Sequence, residues 1–533
     1  MSDRTIDRRT VLKLALLTAV GFAGCDPYSQ SAAPGTLNFL IESAPINLDP
    51  RFASDAQSQN LDGLIFSALV AHDDKMNIVP DLAQSWEMRN AQTFVFHLKP
   101  SVKFQDGRPL TSADVKYTFD TILNGVPSPS GLVRSTKRSA FDKIALIDAP
   151  DPLTVVFHLS EPRASFLWDM VRPGVGIVPK GAGTEIKLNP IGTGPFRFVS
   201  MVTDQEVDLD RNPDYFGYSN DPEPSGSAAG SAIEHIHFRV VPDAVVRALE
   251  LRKGSADIGG VNSVIPDMVV ALKKEKNLAV DDEPGTSLSY VAFNMNDPIL
   301  QHRQVRQALD YATNRELIIR YLLRGEARIA TGQLPPNHWA NNPDLMPRPY
   351  DPAKAEQLLD AAGFPRGRDG IRMQLTLKTS TEESARLLGE TLADQWKRVG
   401  VLLTLHALET ATFFSDLNHG SFQMYTLRWL GVNNDPAFYE FAFSSAHMPP
   451  NGYNRGHYSN PALDALIAKE RVEMDREKQK ALIWQIQQIL YDDEPYLNLW
   501  FNDTVCVYRS DRVMNVNVDP TGDYNFLTNV RLK

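Results

Sequence analysis

Glu234, His235 and His237 stand within Ile233 to Val241, and residues two apart on a strand face one side, so both imidazoles point the same way. That pattern is the start of a divalent-metal site, but such a site needs three or four protein ligands or a chelator. His302, His338, His406, His419, His447 and His457 are scattered without ligand spacing, so the pair alone defines no metal centre. Nucleophilic and nucleotide chemistry have even less to start from. The chain lacks a Gly-x-Ser-x-Gly elbow, a His-Glu-x-x-His helix and a Gly-x-x-x-x-Gly-Lys loop. Gly192-Thr193-Gly194-Pro195 is followed by a strand pattern without Lys-Ser/Thr, and reads as a tight turn rather than a phosphate cradle. Cys506 sits in the apolar run Asp503 to Tyr508 and reads as a small buried hydrophobe rather than a nucleophile.

The elements that would position a site belong to a long globular chain. It has 533 residues with a formal net charge of −11, which argues against nucleic acid as a partner because phosphate binding needs a basic face. With only two cysteines, Cys25 and Cys506, no disulfide framework is available and the core must hold the fold. The first 24 residues combine Arg4, Arg8, Arg9 and Lys13 with an apolar run from Leu14 to Gly24, too short to span a bilayer, and read as an export signal. Arg8-Arg9-Thr10-Val11-Leu12-Lys13 resembles a twin-arginine signal, with Asp7 and Val11 departing from it. Phe22-Ala23-Gly24-Cys25 resembles a lipobox, which makes Cys25 the expected lipidation site and residues 25–35 its tether.

Beyond the tether, strand patterns occupy Thr36 to Ile41, Thr93 to Leu98, Leu153 to Leu159, Pro195 to Val199, Ile233 to Val241 and Tyr290 to Asn294. Helical patterns follow several of them: Asn60 to Val70, a helix opened by Thr111 or Ser112, Asp243 to Leu251, Val305 to Tyr321, and Asp351 to Gly363 with an Asp cap and Pro at its first position. Met373 to Leu377, Leu388 to Val399, Leu402 to Leu408 and Phe422 to Leu427 then read strand, helix, strand, strand. Such alternation predicts an α/β fold.

Read in order, Asn47-Leu48-Asp49-Pro50, Pro80 to Glu87, Phe96 to Asp120, Gly192 to Phe196, Phe293-Asn294, Val305 to Leu309 and Asn433 to Pro436 resemble the family 5 extracellular solute-binding proteins, the dipeptide, oligopeptide and nickel receptors of bacterial ABC importers. The resemblance implies a two-lobed periplasmic-binding-protein fold of type II, the large peptide-receptor variant with an extra subdomain at about 70–190. It places one lobe at 36–284 plus 505–533 and the other at 285–504, with a solute held between them and no chemistry performed. It further implies a monomer without cofactor, exported to the periplasm or the outer face of the cytoplasmic membrane, that serves a membrane permease. A nickel or metal-chelate receptor and a sensor uncoupled from import are the alternatives.

In the peptide receptors of that family, an aspartate three residues after a tryptophan pairs with the ligand amine; the matching tryptophan here is Trp429 and the matching position is Val432. A buried ammonium lacking its counter-charge costs about 2 to 5 kcal/mol, so a free peptide N-terminus is a less favoured ligand. Asp435 stands nearby as a substitute, although Asp-Pro also opens turns. Lys378 occupies the region where dipeptide receptors carry an arginine for the ligand carboxylate. Tyr290, Asn294, Asn433, Asn434 and Tyr439 complete the expected wall, with Ser54 and Asp55 facing it from the first lobe.

Overall fold

The computed structural model describes residues 34–171, 174–218, 231–431, 434–450 and 452–533. The export signal, Cys25 and most of the tether, together with Val432 and Asn433, lie outside the described residues.

An 11-stranded mixed sheet runs through the molecule. From one edge its strands are Phe196–Val202, Glu206–Arg211, His235–Val240, Thr36–Ile41, Ile258–Val261, Tyr496–Arg509, Leu278–Phe293, Met424–Trp429, Met373–Ser380 and Val401–Leu408, and Ala327–Ile329 pairs beside Tyr496–Arg509. Two long antiparallel strands carry the middle: Leu278–Phe293 with 16 residues and Tyr496–Arg509 with 14. Their register shifts between Glu283 and Ser287, where Pro284 has no N–H to give. A Cβ on Gly285 would lie 2.3 Å from the Asn502 carbonyl oxygen, so only glycine lets the strands approach there. Pro284-Gly285 therefore kinks a strand that the sequence reading ends: only its last residues, from Tyr290, show a local strand pattern.

Each end of the sheet has its own core. Leu37, Phe39, Ile236 and Phe238 pack with Leu61 and Ile65 of the helix Ala56–Ile65 on one face. Leu40, Leu251, Val269 and Val507 fill the opposite face, as expected where helices cover both sides of parallel strands. The C-terminal residues Val516, Tyr524 and Leu532 join the first of these cores, and the Arg512 guanidinium donates to the Thr36 carbonyl at 2.8 Å. First and last described residues thus belong to the same end. At the other end, Leu375, Leu392 and Trp396 form one core, and Tyr290, Trp429, Phe438 and Tyr439 another.

A separate antiparallel sheet orders Ala83–Asn90, Thr93–Leu98, Thr154–Leu159 and Ile144–Asp151. Phe94, Phe96 and Phe157 pack beneath it against Phe119 of the helix Ser112–Asn124. Thr111 caps that helix in a reciprocal box, with its N–H and hydroxyl both donating to Asp114 Oδ2 at 2.8 Å. The expected single helix from Val305 to Tyr321 is two helices, Arg303–Tyr311 and Arg315–Tyr321. Polar side chains break it: Thr313 returns its hydroxyl to the Leu309 carbonyl, and Asn314 accepts from Leu317 N as a new cap.

Candidate ligand cleft

A cleft of about 100 Å³ opens between the small antiparallel sheet and the C-terminal helices. Met76, Leu167 and Trp168 line one wall; Trp339, Asp435 and Met474 line the other. The walls touch. Trp339 N donates to the Lys75 carbonyl at 3.2 Å and Ala164 N to the Arg471 carbonyl at 2.8 Å, both across the cleft. Arg476, on the helix Arg476–Asp493 capped by Asp475, lies 4.2 Å over the Trp339 ring and donates to Asn77 on the opposite wall.

Two buried acids, Asp169 and Glu470, neighbour Asp435 of the cleft wall. Asp169 pairs with Arg163 at 3.0 Å, but its Oδ2 is buried without a hydrogen-bond partner. Burial pushes its carboxyl up to about 7, opposed by Arg163 and reinforced by Asp435. Asp435 faces Arg163 and Ser165 from the other wall, and burial raises it to about 6. Behind it, burial and the Asp435 charge push Glu470 up to about 8.

The expected site residues fall into three groups. Trp429 stacks on Tyr290 at 5.9 Å between centroids and meets Phe438 edge-on, and Tyr439 adjoins Phe438. Tyr290 and Tyr439 are 0% and 1% exposed, which makes them the packed interior behind the wall, while Trp429 keeps 8%. Asn434 is buried with a lone Oδ1, and its carbonyl faces His338 Nε2 at 3.0 Å; burial drives that imidazole down to about 3 and keeps it neutral. Asn294 and Lys378 gather elsewhere, around residues 420–422. Asn294 donates to the Gly420 and Phe422 carbonyls, and Lys378 pairs with Asp416 at 2.6 Å and donates to the Ser421 carbonyl, so both side chains are already engaged. Asp55 caps the helix Ala56–Ile65 by accepting from Ser58 N, leaving Oδ2 buried without a partner, beside exposed Ser54.

The histidine pair is accounted for within the sheet. His235 and His237 stand directly opposite Asp210 and Asp208 on the neighbouring strand, and each Nδ1 meets its aspartate, His237 at 2.7 Å. These are cross-strand side-chain pairs. Cys506 is fully buried, and burial drives its thiol far above the ordinary range, which leaves it inert. Met76, Trp168, Trp339 and Arg476 were not legible as cleft residues, since segments hundreds of residues apart supply them and none carries a local motif.

A sheet in two packed ends, bridged by two long strands beside a cleft, is the architecture of a receptor that holds a solute. The family model of bacterial extracellular solute-binding proteins, family 5 Middle, matches residues 77–449. The chain belongs to this family of non-catalytic solute-binding proteins, and has its mixed α/β periplasmic-binding-protein fold. It is 27% identical to the dipeptide-binding protein of Escherichia coli (strain K12) over 522 residues, covering 93% of this chain and 95% of the relative. It is 25% identical to heme-binding protein A of Haemophilus influenzae over 527 residues, covering 92% and 93%. The solved structure of HbpA2 from Haemophilus parasuis superposes with a TM-score of 0.81 at 26% identity, covering 93% of this chain and all of that one.

Proposed function

We propose that this chain captures a peptide or peptide-like solute between two lobes and delivers it unaltered to the permease of an ABC importer. Residues 36–284 with 505–533 form one lobe and 285–504 the other, and Cys25 carries the lipid that tethers the protein outside the membrane. The observation that carries the reading is the cleft itself: its walls come from the two proposed lobes and meet through main-chain hydrogen bonds at Trp339 and Ala164. The kink at Pro284-Gly285, opposite Asn502, supplies the flexure on which they swing. Similarity to peptide receptors supports the cargo class. Methionine and tryptophan side chains at Met76, Trp168, Trp339 and Met474 suit an apolar or aromatic side chain of the cargo, because flexible thioethers and flat rings adapt to its shape.

The test is native mass spectrometry of protein purified from its own organism, with scattering before and after the cargo is stripped. A retained peptide-like mass and a more open stripped form are expected. A rigid particle of unchanged dimensions, or cargo released chemically transformed, would refute the reading.

A further inference from the structure

His72 ends the short strand Val70–His72, in the proposed first lobe but in a different sheet from the histidine pair at 235 and 237. Its ligand atom, with one from each of Asp519 and Asp523, forms a cluster in which all three atoms lie within 4.8 Å of one another. His72 is 6% exposed and Asp523 4%, so water screens them little. His72 Nδ1 lies 3.2 Å from the Asp73 carbonyl, a contact that orients the ring and turns Nε2 toward the aspartates. Nε2 is 3.9 Å from Asp523 Oδ2, too far for a hydrogen bond. Two metal bonds of about 2.1 Å at an open angle span a separation close to this one. A carbonyl that orients one ring nitrogen while the other faces carboxylates is the outer shell of a metal-bound imidazole.

The aspartates are held in place by their own loop. Asp519 Oδ1 accepts from the Thr521 amide and hydroxyl, and Asp523 accepts from the amide and side chain of Asn525. Between them the Pro520 carbonyl accepts from Thr286 N at 3.2 Å and from Thr504 Oγ1 at 2.9 Å, one from each of the two long strands at their kink.

We propose that His72, Asp519 and Asp523 bind one divalent transition-metal ion, Zn²⁺ or Mn²⁺, which staples the strand Val70–His72 to the loop pinned on the hinge. Imidazole with two carboxylates suits those ions, and three protein ligands leave a position for water. The site adjoins the cleft wall, where the His72 ring stacks on Trp168 at 6.1 Å between centroids, but none of its three ligands lines the cleft, and it stands whether or not the proposed cargo is correct.

The test is calorimetric titration of the full mature chain, stripped with chelator and exchanged into metal-free buffer, with Zn²⁺ and Mn²⁺ alone. Wild type is expected to take up one equivalent of at least one of these ions, His72→Ala and Asp523→Asn to weaken it at least tenfold, and His237→Ala to leave it unchanged. Asp519→Asn, which keeps the side-chain oxygen facing Thr521, serves as the ligand variant should either of the others fail to fold by circular dichroism in chelator. The proposal is overturned if wild type binds neither ion saturably, or if the folded ligand variants bind as wild type does. Loss of binding in His237→Ala would also overturn it, by moving the site to the sheet.

Discussion

Removing the charge of Asp169 is the most direct probe of how the cleft closes. Its folded carboxyl is pushed up to about 7 from an ordinary 3.8, and its side chain is 15% exposed. Opening the lobes returns it to water and to its ordinary value. The closed form then holds more protons than the open one between about pH 4 and pH 7, so closure is stronger in acid and weakens as pH rises. For this one group, closing at pH 8 costs about 1.4 kcal/mol more than at pH 6, about a tenfold drop in the closure constant. Arg163 pairs with it on the same wall and Asp435 faces it from the other, and Asp435, raised to about 6, adds in the same direction at the lower end of that range. In Asp169→Asn the slope of log closure constant against pH is expected to flatten by about half a proton at pH 7 and by close to one proton between about pH 5 and pH 6. Small-angle scattering of the stripped protein at stepped pH measures the closed fraction, with Trp168 and Trp339 fluorescence as a second reporter. An unchanged slope in the variant, or a wild type that closes more tightly at pH 8 than at pH 6, would show that Asp169 is not desolvated by closure.

Three further outcomes are expected. Arg51 is fully buried, forked on Asp49 at 2.9 and 2.8 Å and bonded to the Ala182 and Gly183 carbonyls, so Arg51→Met strands a buried carboxylate and should cost about 3 to 5 kcal/mol in urea unfolding; a loss under 1 kcal/mol would contradict that accounting. Gly285→Ala sets a methyl against the Asn502 carbonyl and should shift scattering of the stripped protein toward a single, less closed form, whereas an unchanged profile would remove this kink from the hinge. Trp339→Ala removes the face beneath Arg476, worth about 0.5 to 2 kcal/mol, and should speed release of the co-purified cargo by about 2- to 30-fold in stopped-flow fluorescence; an unaltered rate would separate this contact from closure.

Much of the fold was legible because its signals are local. Asp243 caps Ala244–Lys253 and Gly254 ends it in the left-handed region at φ 79°, and Asp351 caps Pro352–Ala361, as residue types at those spacings dictate. The block Asn47 to Pro50 also carries a structural burden, since its Asp49 holds Arg51. What escaped was non-local. The strand from Leu278 continues through Pro284-Gly285 only because Tyr496–Arg509 pairs with it, and no window of sequence contains that partner. The same limit applies to the cleft. Asp435 was named from its place after Trp429, but Asp169 and Arg163 become its neighbours through folding alone. Lys378 and Asn294 illustrate the converse: their residue types suited a ligand, while their neighbours Asp416, Gly420 and Phe422 use the same atoms.

Residues near both termini are packed into one end of the sheet, where Arg512 bonds to Thr36 and Leu532 shares a core with Leu37. Anything attached at either extremity therefore grips a single jaw, and the opposite jaw stays unencumbered. A surface, a bead or a bilayer can hold this molecule by its ends without bracing it open or shut, so single-molecule recordings of its motion require no internal attachment point.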